Sequence, residues 1–169
     1  MNPDGLGYSQ VTTPIGQLTV VASRTGLRRI LFSQLTPKDS VFLATVPKVS
    51  DHQIVTEAIT QLEEYFFGQR RVFEIPIEAK GTEFQMATWR ALGNIEFGKT
   101  STYGAQALVI GAPRAVRAVG SANRCNPLPI VWPCHRIIGS DGKLTGFAGG
   151  LEAKRWLLDH ERVRSNKSN

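Results

Sequence analysis

A chain of 169 residues, 41% hydrophobic and 20% charged, is long enough for one good core or two small ones. No apolar run approaches bilayer length and no basic segment leads into an apolar one at the start, so no signal peptide or membrane span is expected, and the expected compartment is the cytoplasm, or the nucleus in a eukaryote. Two cysteines, Cys125 and Cys134, make no disulfide framework, and the net charge of +6 is lopsided: residues 1–98 hold 9 Lys/Arg against 10 Asp/Glu, residues 99–169 hold 11 against 4, so the second part is the one suited to a polyanion.

From Tyr8 to about Ser33 the pattern is β-like, with strands at Leu18–Ala22 and Leu27–Phe32 and turns at Pro14-Ile15-Gly16 and Arg24-Thr25-Gly26. The polar, proline-containing segment 34–50 reads as a loop. Ser50 or Asp51 is placed to cap a helix whose Ile54, Ala58, Ile59, Leu62, Tyr65 and Phe66 fall at helical spacing, and Val72–Ile77 alternates like a further strand. Together these describe a small α/β domain over residues 1–80 with a structural role. A break falls at Lys80-Gly81, and residues 81–169 form the second domain.

That second domain reads as mostly helical. Thr82 to Gln85 fits a capping box that opens a helix ending near Gly93-Asn94. Ser101-Thr102-Tyr103 caps a short helix ending at Gly111, and Pro113 suits the first position of the next, which runs from Arg114 to Arg124. Two short helices across a glycine turn make a helix-turn-helix. Val116 and Val119 are expected to pack inward, leaving Arg114, Arg117, Ala118, Ser121 and Arg124 toward the other face. Small side chains between arginines let a helix approach a sugar-phosphate backbone closely. Gly139-Ser140-Asp141-Gly142 is a turn, Gly146 to Gly150 a flexible segment, and Leu151–Glu161 a last helix, followed from Arg162 by a flexible tail.

The chemistry concentrates in Ile130-Val131-Trp132-Pro133-Cys134-His135-Arg136-Ile137-Ile138, where a cysteine, a histidine and an arginine interrupt two apolar runs expected to be buried and extended. A buried cysteine is by itself an ordinary small hydrophobe, and its use as a nucleophile requires thiolate character, which a histidine oriented by a carboxylate supplies. Neighbours on a strand face opposite ways, so Cys134 and His135 couple only through a turn or a bridging water. Glu161 is the candidate orienting carboxylate. Cys125, Cys134, His135 and His160 match no structural zinc spacing, and no phosphate-cradling glycine loop occurs, so no metal and no cofactor are expected.

Pro133-Cys134-His135-Arg136, the Arg117-Ala118-Val119-Gly120 helix, Asn126-Pro127 and Gly146-Phe147-Ala148-Gly149-Gly150 together resemble the O6-alkylguanine-DNA alkyltransferases, densely and in order from about Gly81 to Glu161, more loosely before that. The resemblance implies single-turnover repair: an O6-alkylguanine, or an O4-alkylthymine, is flipped from the double helix and its alkyl group passes irreversibly to Cys134. It implies His135 as base through a water, Glu161 completing the relay and Asn126 holding the segment that joins the DNA-binding helix to the cysteine. Arg117 takes the place of the extruded nucleotide, Tyr103 assists flipping and protonates the guanine, and the carbonyls of Cys134 and Ile137 read the exocyclic amine. Ala118, Gly120 and Ser121 face the minor groove with Arg114 and Arg124 beside them, and Asn123, Ile137, Phe147, Ala148 and Gly149 line the pocket. The implied partner is double-stranded DNA, bound by a monomer, with cooperation along the strand open.

The chain departs from the family pattern in places. Phe147 stands where tyrosine is common, Trp132 where a small aliphatic residue is usual, and Ala148 offers no hydroxyl; the ligands of the zinc site found in some members are missing, while Gly149 leaves room for groups larger than methyl. Two other readings stay open on the residues alone. A sensor that binds alkylated DNA without repairing it has no use for Cys134, and a cysteine hydrolase using Cys134, His135 and Glu161 has no use for a basic helix.

Overall fold

The computed structural model describes residues 4–167 and divides the chain into two compact units, Met1–Ala79 and Lys80–Asn169. The first is built on an antiparallel meander of β1 (Gly7–Thr13), β2 (Gly16–Ala22) and β3 (Leu27–Phe32), with β2 in the middle. Leu18, Val20, Val21 and Ala22 are wholly buried and Thr19 nearly so, the near-continuous run of a strand covered on both faces. Helix α2 (Gln53–Phe66) packs on the sheet through Ile54, Val55, Ala58, Leu62, Tyr65 and Phe66.

Three expectations for this unit are corrected. The supposed loop 34–50 contains helix α1 (Pro37–Ala44), with Thr36 as N-cap accepting from the Asp39 amide at 3.1 Å and Pro37 at its start. None of its residues is buried, so it leaves no hydrophobic period to read. The cap of α2 is His52, neither Ser50 nor Asp51; its Nδ1 accepts from the Val55 amide at 3.4 Å and its Nε2 lies 3.1 Å from the Gly5 carbonyl. Val72–Ile77 forms no strand beyond one bridge from Ile77 to Leu27, because Pro76 has no N–H to continue a ladder. That segment is held instead by Gln61, which accepts from the Glu74 amide at 2.8 Å and donates to its carbonyl at 3.1 Å.

The second unit is mostly helical. Helix α3 (Glu83–Leu92) opens with the expected capping box: Gln85 N–H to Thr82 Oγ1 at 3.1 Å, Thr82 N–H to Gln85 Oε1 at 3.0 Å. Helices α4 (Tyr103–Val109) and α5 (Val116–Arg124) form the helix-turn-helix, with Gly111 supplying the left-handed backbone (φ 72°) at the turn. They are joined internally by a reciprocal amide pair, Gln106 to Asn123 at 3.1 Å and Asn123 to Gln106 at 2.7 Å, and Gln106 also donates to the Thr88 carbonyl of α3 at 2.9 Å. Helix α5 starts at Val116, later than expected; Pro113 and Arg114 sit in a turn closed by the Ala115 amide on the Ala112 carbonyl. Val116 therefore lies at the helix mouth and is exposed, while Val119 is buried as expected.

A two-residue parallel pair, β4 (Ser101–Thr102) with β5 (Ile137–Ile138), ties the start of α4 to the stretch after the cysteine. Helix α6 (Leu151–Asn166) closes the unit. It continues through Arg162 to Asn166, where a flexible tail was expected, with Arg162 donating to Asp159 at 3.0 Å; the last two residues of that tail lie outside the described ones.

Candidate active site

The stretch 130–136 is folded into consecutive turns; extended backbone was the expectation. Three prolines (Pro127, Pro129, Pro133) remove the N–H groups a strand would need. Instead the Trp132 amide bonds to the Leu128 carbonyl at 2.8 Å, the Cys134 amide to the Trp132 carbonyl at 2.8 Å and the Arg136 amide to the Pro133 carbonyl at 3.0 Å. Ile130 takes a left-handed backbone (φ 74°), unusual for a β-branched residue and held there by burial. Cys134–Arg136 is a single turn of 3₁₀ helix.

Asn126 is the clasp of this structure. Its Oδ1 accepts from the Leu128 amide at 2.9 Å and its Nδ2 donates to the Trp132 carbonyl at 2.8 Å, so one side chain fixes the ends of the turn directly after α5. Trp132 stacks on Trp89 (centroids 5.8 Å apart, planes at 25°), whose indole N–H donates to the Ala122 carbonyl of α5 at 2.8 Å. The bulky departure at 132 thus fills the space between α3 and the cysteine turn.

The 3₁₀ turn sends His135 into the core, where Glu161 of α6 meets it. His135 Nε2 is 2.7 Å from Glu161 Oε1, and both side chains are essentially inaccessible. Arg136 grips the same carboxylate with two nitrogens, Nε to Oε2 at 2.9 Å and Nη2 to Oε1 at 3.0 Å, and passes Nη1 to the Ile95 carbonyl at 2.5 Å. The Gly98 amide is a fourth donor, 3.1 Å from Oε2. Gly98 has φ 79°, and a Cβ there would lie 2.5 Å from Ser165 Oγ, so the position requires glycine. Burial alone would raise the Glu161 carboxyl, but the hydrogen bonds and charges of His135 and Arg136 outweigh it and hold the group ionised well below the usual carboxylate range.

An ionised Glu161 at Nε2 fixes the neutral tautomer of His135 with its proton on Nε2. Nδ1, buried and without a hydrogen-bond partner among the described residues, is then the basic nitrogen. Burial lowers the His135 pKa despite the carboxylate, so the ring rests neutral and able to take a proton. Cys134 is half-buried. Burial pushes its thiol up, while a hydrogen bond from Asn126 and the charge of Lys154 pull the other way.

Lys154 had no assigned role in the sequence. Its side chain is fully buried, Nζ donates to the Thr145 carbonyl at 2.8 Å, and burial depresses its pKa against the pull of Cys134. Lys154, Leu157 and Glu161 share one stripe of α6 at i, i+3 and i+7, so a lysine on the buried face of a helix was the signal. Arg136 stood inside the signature, but its partner 25 residues away was not visible.

Beside α5 lies a cavity of about 610 Å³ lined by Tyr103, Val116, Arg117, Ser121, Arg124 and Thr145 among others. Arg117, Ala118, Ser121 and Arg124 are exposed, as is Arg114 in the preceding turn, and Gly120 backs onto the ring of Tyr103. Tyr103 Oη is 2.8 Å from Thr145 Oγ1. Ile137 is buried in β5; its amide bonds to the Cys134 carbonyl, leaving that oxygen one lone pair for a ligand. The Phe147 ring meets His135 edge-on at 6.5 Å, Ala148 is exposed and Gly149 half-buried. Asn123, expected in the pocket, is spent on Gln106. Cys125 is exposed at the end of α5 and His160 stacks on Trp156 at 4.7 Å; among the described residues no three His, Cys, Asp or Glu side chains gather as a metal site would need.

Comparison with known proteins bears on the whole chain. The profile of the 6-O-methylguanine DNA methyltransferase DNA binding domain matches residues 83–163, and that of the same protein's ribonuclease-like domain matches residues 6–79. The methylated-DNA–protein-cysteine methyltransferase of Methanosarcina barkeri is 42% identical, covering 91% of this chain and 96% of its own. The crystal structure of the Mycobacterium tuberculosis O6-methylguanine methyltransferase superposes with a TM-score of 0.85 at 40% identity, covering 94% of each chain. A structure of the M. tuberculosis protein in complex with DNA gives 0.84 at 39%, with 94% of each chain covered. With both profiles matched in sequence and a relative of that identity aligned almost end to end, this chain belongs to the 6-O-methylguanine DNA methyltransferase family.

Proposed function

We propose that the chain is a methylated-DNA–protein-cysteine methyltransferase that repairs O6-alkylguanine by moving the alkyl group onto its own Cys134, once per molecule. The observation that carries this is the buried His135–Glu161 pair, 2.7 Å apart, set directly after the cysteine in one tight turn with the second imidazole nitrogen left over. Through a bridging water, His135 Nδ1 takes the thiol proton. The thiolate attacks the alkyl carbon, the carbon–O6 bond breaks, and its electron pair enters the guanine ring, which takes a proton from the Tyr103 hydroxyl. The proton on His135 replaces the one Tyr103 gives up, so the balance is a thiol and an alkylguanine converted to a thioether and guanine. A thiolate is a poor leaving group from the saturated carbon of a thioether, so the alkyl group stays on Cys134.

DNA is the partner, and α5 is the element that meets it. Ala118, Gly120 and Ser121 let the helix lie close in the minor groove, Arg114 and Arg124 meet phosphates, and Arg117 fills the gap left by a flipped nucleotide. Flipping costs a few kcal/mol, least for a base that pairs badly, which favours the alkylated one. Asn126 fixes the acceptor turn to the end of α5, so the helix that finds the lesion also sets the cysteine. The carbonyls of Cys134 and Ile137 read the exocyclic amine, and Phe147, Ala148 and Gly149 wall the alkyl group. The same pocket takes O4-alkylthymine. The protein acts as a monomer, without metal or cofactor.

The test is the intact mass of the protein after incubation with duplex DNA carrying O6-methylguanine, beside Cys134→Ser. The expected result is a gain of one methyl per molecule that stops there and is absent from the serine variant. Tight lesion binding without a mass gain would make it a sensor; turnover of small esters with no response to DNA would make it a hydrolase.

A further inference from the structure

Thr145 lies in the loop between β5 and α6, outside the sequence motifs that mark the site. Two hydrogen bonds leave it in different directions. Its hydroxyl is 2.8 Å from the Tyr103 hydroxyl at the start of α4, and its carbonyl accepts from Lys154 Nζ at 2.8 Å. Tyr103 and Thr145 line the same cavity beside α5, with Arg117 and Ser121. Lys154 in turn is buried with its charge acting on Cys134. One exposed threonine thus joins a phenol that lines the pocket to a buried ammonium.

We propose that Thr145 is a positioning residue for alkyl transfer: its hydroxyl aims the Tyr103 hydroxyl into the pocket, while its carbonyl holds the buried Lys154 ammonium in place. This rests on the proposed use of Tyr103 as the proton donor to the departing guanine. A free phenol turns about its C–O bond and its ring swings about two torsions; a hydroxyl partner 2.8 Å away restricts both before substrate arrives, and order present beforehand need not be imposed in the transition state. Thr145 Oγ1 both donates and accepts, so it can accept the Tyr103 proton in the resting site and donate to the phenolate oxygen once that proton has moved to the base. The backbone bond to Lys154 survives any side-chain change at 145, so substitution isolates the hydroxyl.

The experiment measures the single-turnover rate of methyl transfer from duplex O6-methylguanine for Thr145→Val, Thr145→Ser, Tyr103→Phe and Thr145→Val with Tyr103→Phe. Thr145→Val keeps the shape and removes the hydroxyl; it should slow transfer about threefold to tenfold, the effect of losing one neutral hydrogen bond in the transition state. Thr145→Ser should restore most of the rate, which a role in loop packing would not do. In the Tyr103→Phe background the valine should add nothing, since the partner it aims is gone. A wild-type rate in Thr145→Val, or an undiminished valine effect without the phenol, overturns the inference about Thr145 while leaving Tyr103 in its role. A wild-type rate in Tyr103→Phe removes the donor role itself and the inference with it.

Discussion

The two units bury different things. Among the described residues of Met1–Ala79 the buried polar side chains are Thr19, Ser23 and Gln61, all neutral, and charged groups stay toward the surface in pairs such as Arg28–Glu78 and Arg29–Asp39. In Lys80–Asn169 the buried set includes His135, Arg136, Lys154, His160 and Glu161. Burying a charge costs several kcal/mol before any partner offsets it, and a core of the same volume in leucine would be at least as stable. The first unit is a core built for packing, and the second buries at the same depth the groups that the proposed alkyl transfer uses.

The sharpest way to break that contrast is to make two substitutions of equal structural cost, one in each unit. Leu62→Ala in α2 removes a fully buried side chain and should cost about 2–5 kcal/mol of stability. Glu161→Gln strands the buried Arg136 and His135 and should cost a similar ~3–5 kcal/mol. Below the melting range, however, Leu62→Ala should keep its transfer rate while Glu161→Gln loses about 100-fold, the low end of what a positioned acid–base group contributes. Melting curves and single-turnover transfer on the same samples decide it; equal rates in the two variants would mean the second unit's buried charges serve packing as well. The pH dependence follows with its sign. The Glu161 carboxyl is lowered in the fold, so its stabilisation is complete above the unfolded value near 4.5 and is lost as pH falls toward the depressed folded value. Wild type should lose melting temperature over that acid range faster than Glu161→Gln does.

The same contrast explains what could be read from the residues. The strands β2 and β3, helix α2 and the capping box of α3 are legible because each is signalled by residues a few positions apart. Helix α1 was missed because it buries nothing, and the 72–77 strand was wrongly expected because alternation is visible in sequence while the missing N–H of Pro76 acts only through its neighbours. In the second unit the side chains Cys134, His135 and Glu161 stood out, two as neighbours in one signature and the third as a carboxylate at the end of the last expected helix. The turn that gives them their geometry did not, since apolar runs on both sides of Cys134 imitate a strand whereas three prolines and the clasp of Asn126 forbid one. The partner of Arg136, and the roles of Gly98 and Lys154, were silent because they depend on groups brought together only by the fold.

Lys154→Met takes the comparison one step further, because it should move stability and activity in opposite directions. The buried ammonium is disfavoured by the fold, so its folded pKa lies below the unfolded 10.5 and holding the charge inside costs stability at neutral pH. Methionine has nearly the same shape and no charge; the carbonyl it abandons belongs to the exposed Thr145 and can turn to water. The melting temperature should rise or hold while methyl transfer slows about tenfold, the effect of one pKa unit on the thiolate population. A variant both less stable and equally fast would mean the lysine is structural.

The smallest effect tests where DNA lies. Net charge differs by unit, with 7 Lys/Arg against 8 Asp/Glu in residues 1–79 and 13 against 6 in residues 80–169. Total charge does not locate an interface, because a diffuse positive field steers a polyanion without touching it. Counterion release does locate it. Removing one cation that neutralises a phosphate lowers the slope of log K against log salt by about 0.9, while distant charges change affinity and leave the slope. Arg114→Ala, at the exposed turn before α5, should weaken binding to damaged and undamaged duplex alike and flatten the slope by roughly that amount. Lys38→Ala, exposed on α1, should leave the slope unchanged. If instead Lys38 moved it and Arg114 did not, the first unit would share the nucleic acid, and the division into a packing core and a reactive, DNA-facing one would fail at its surface while still holding in the interior.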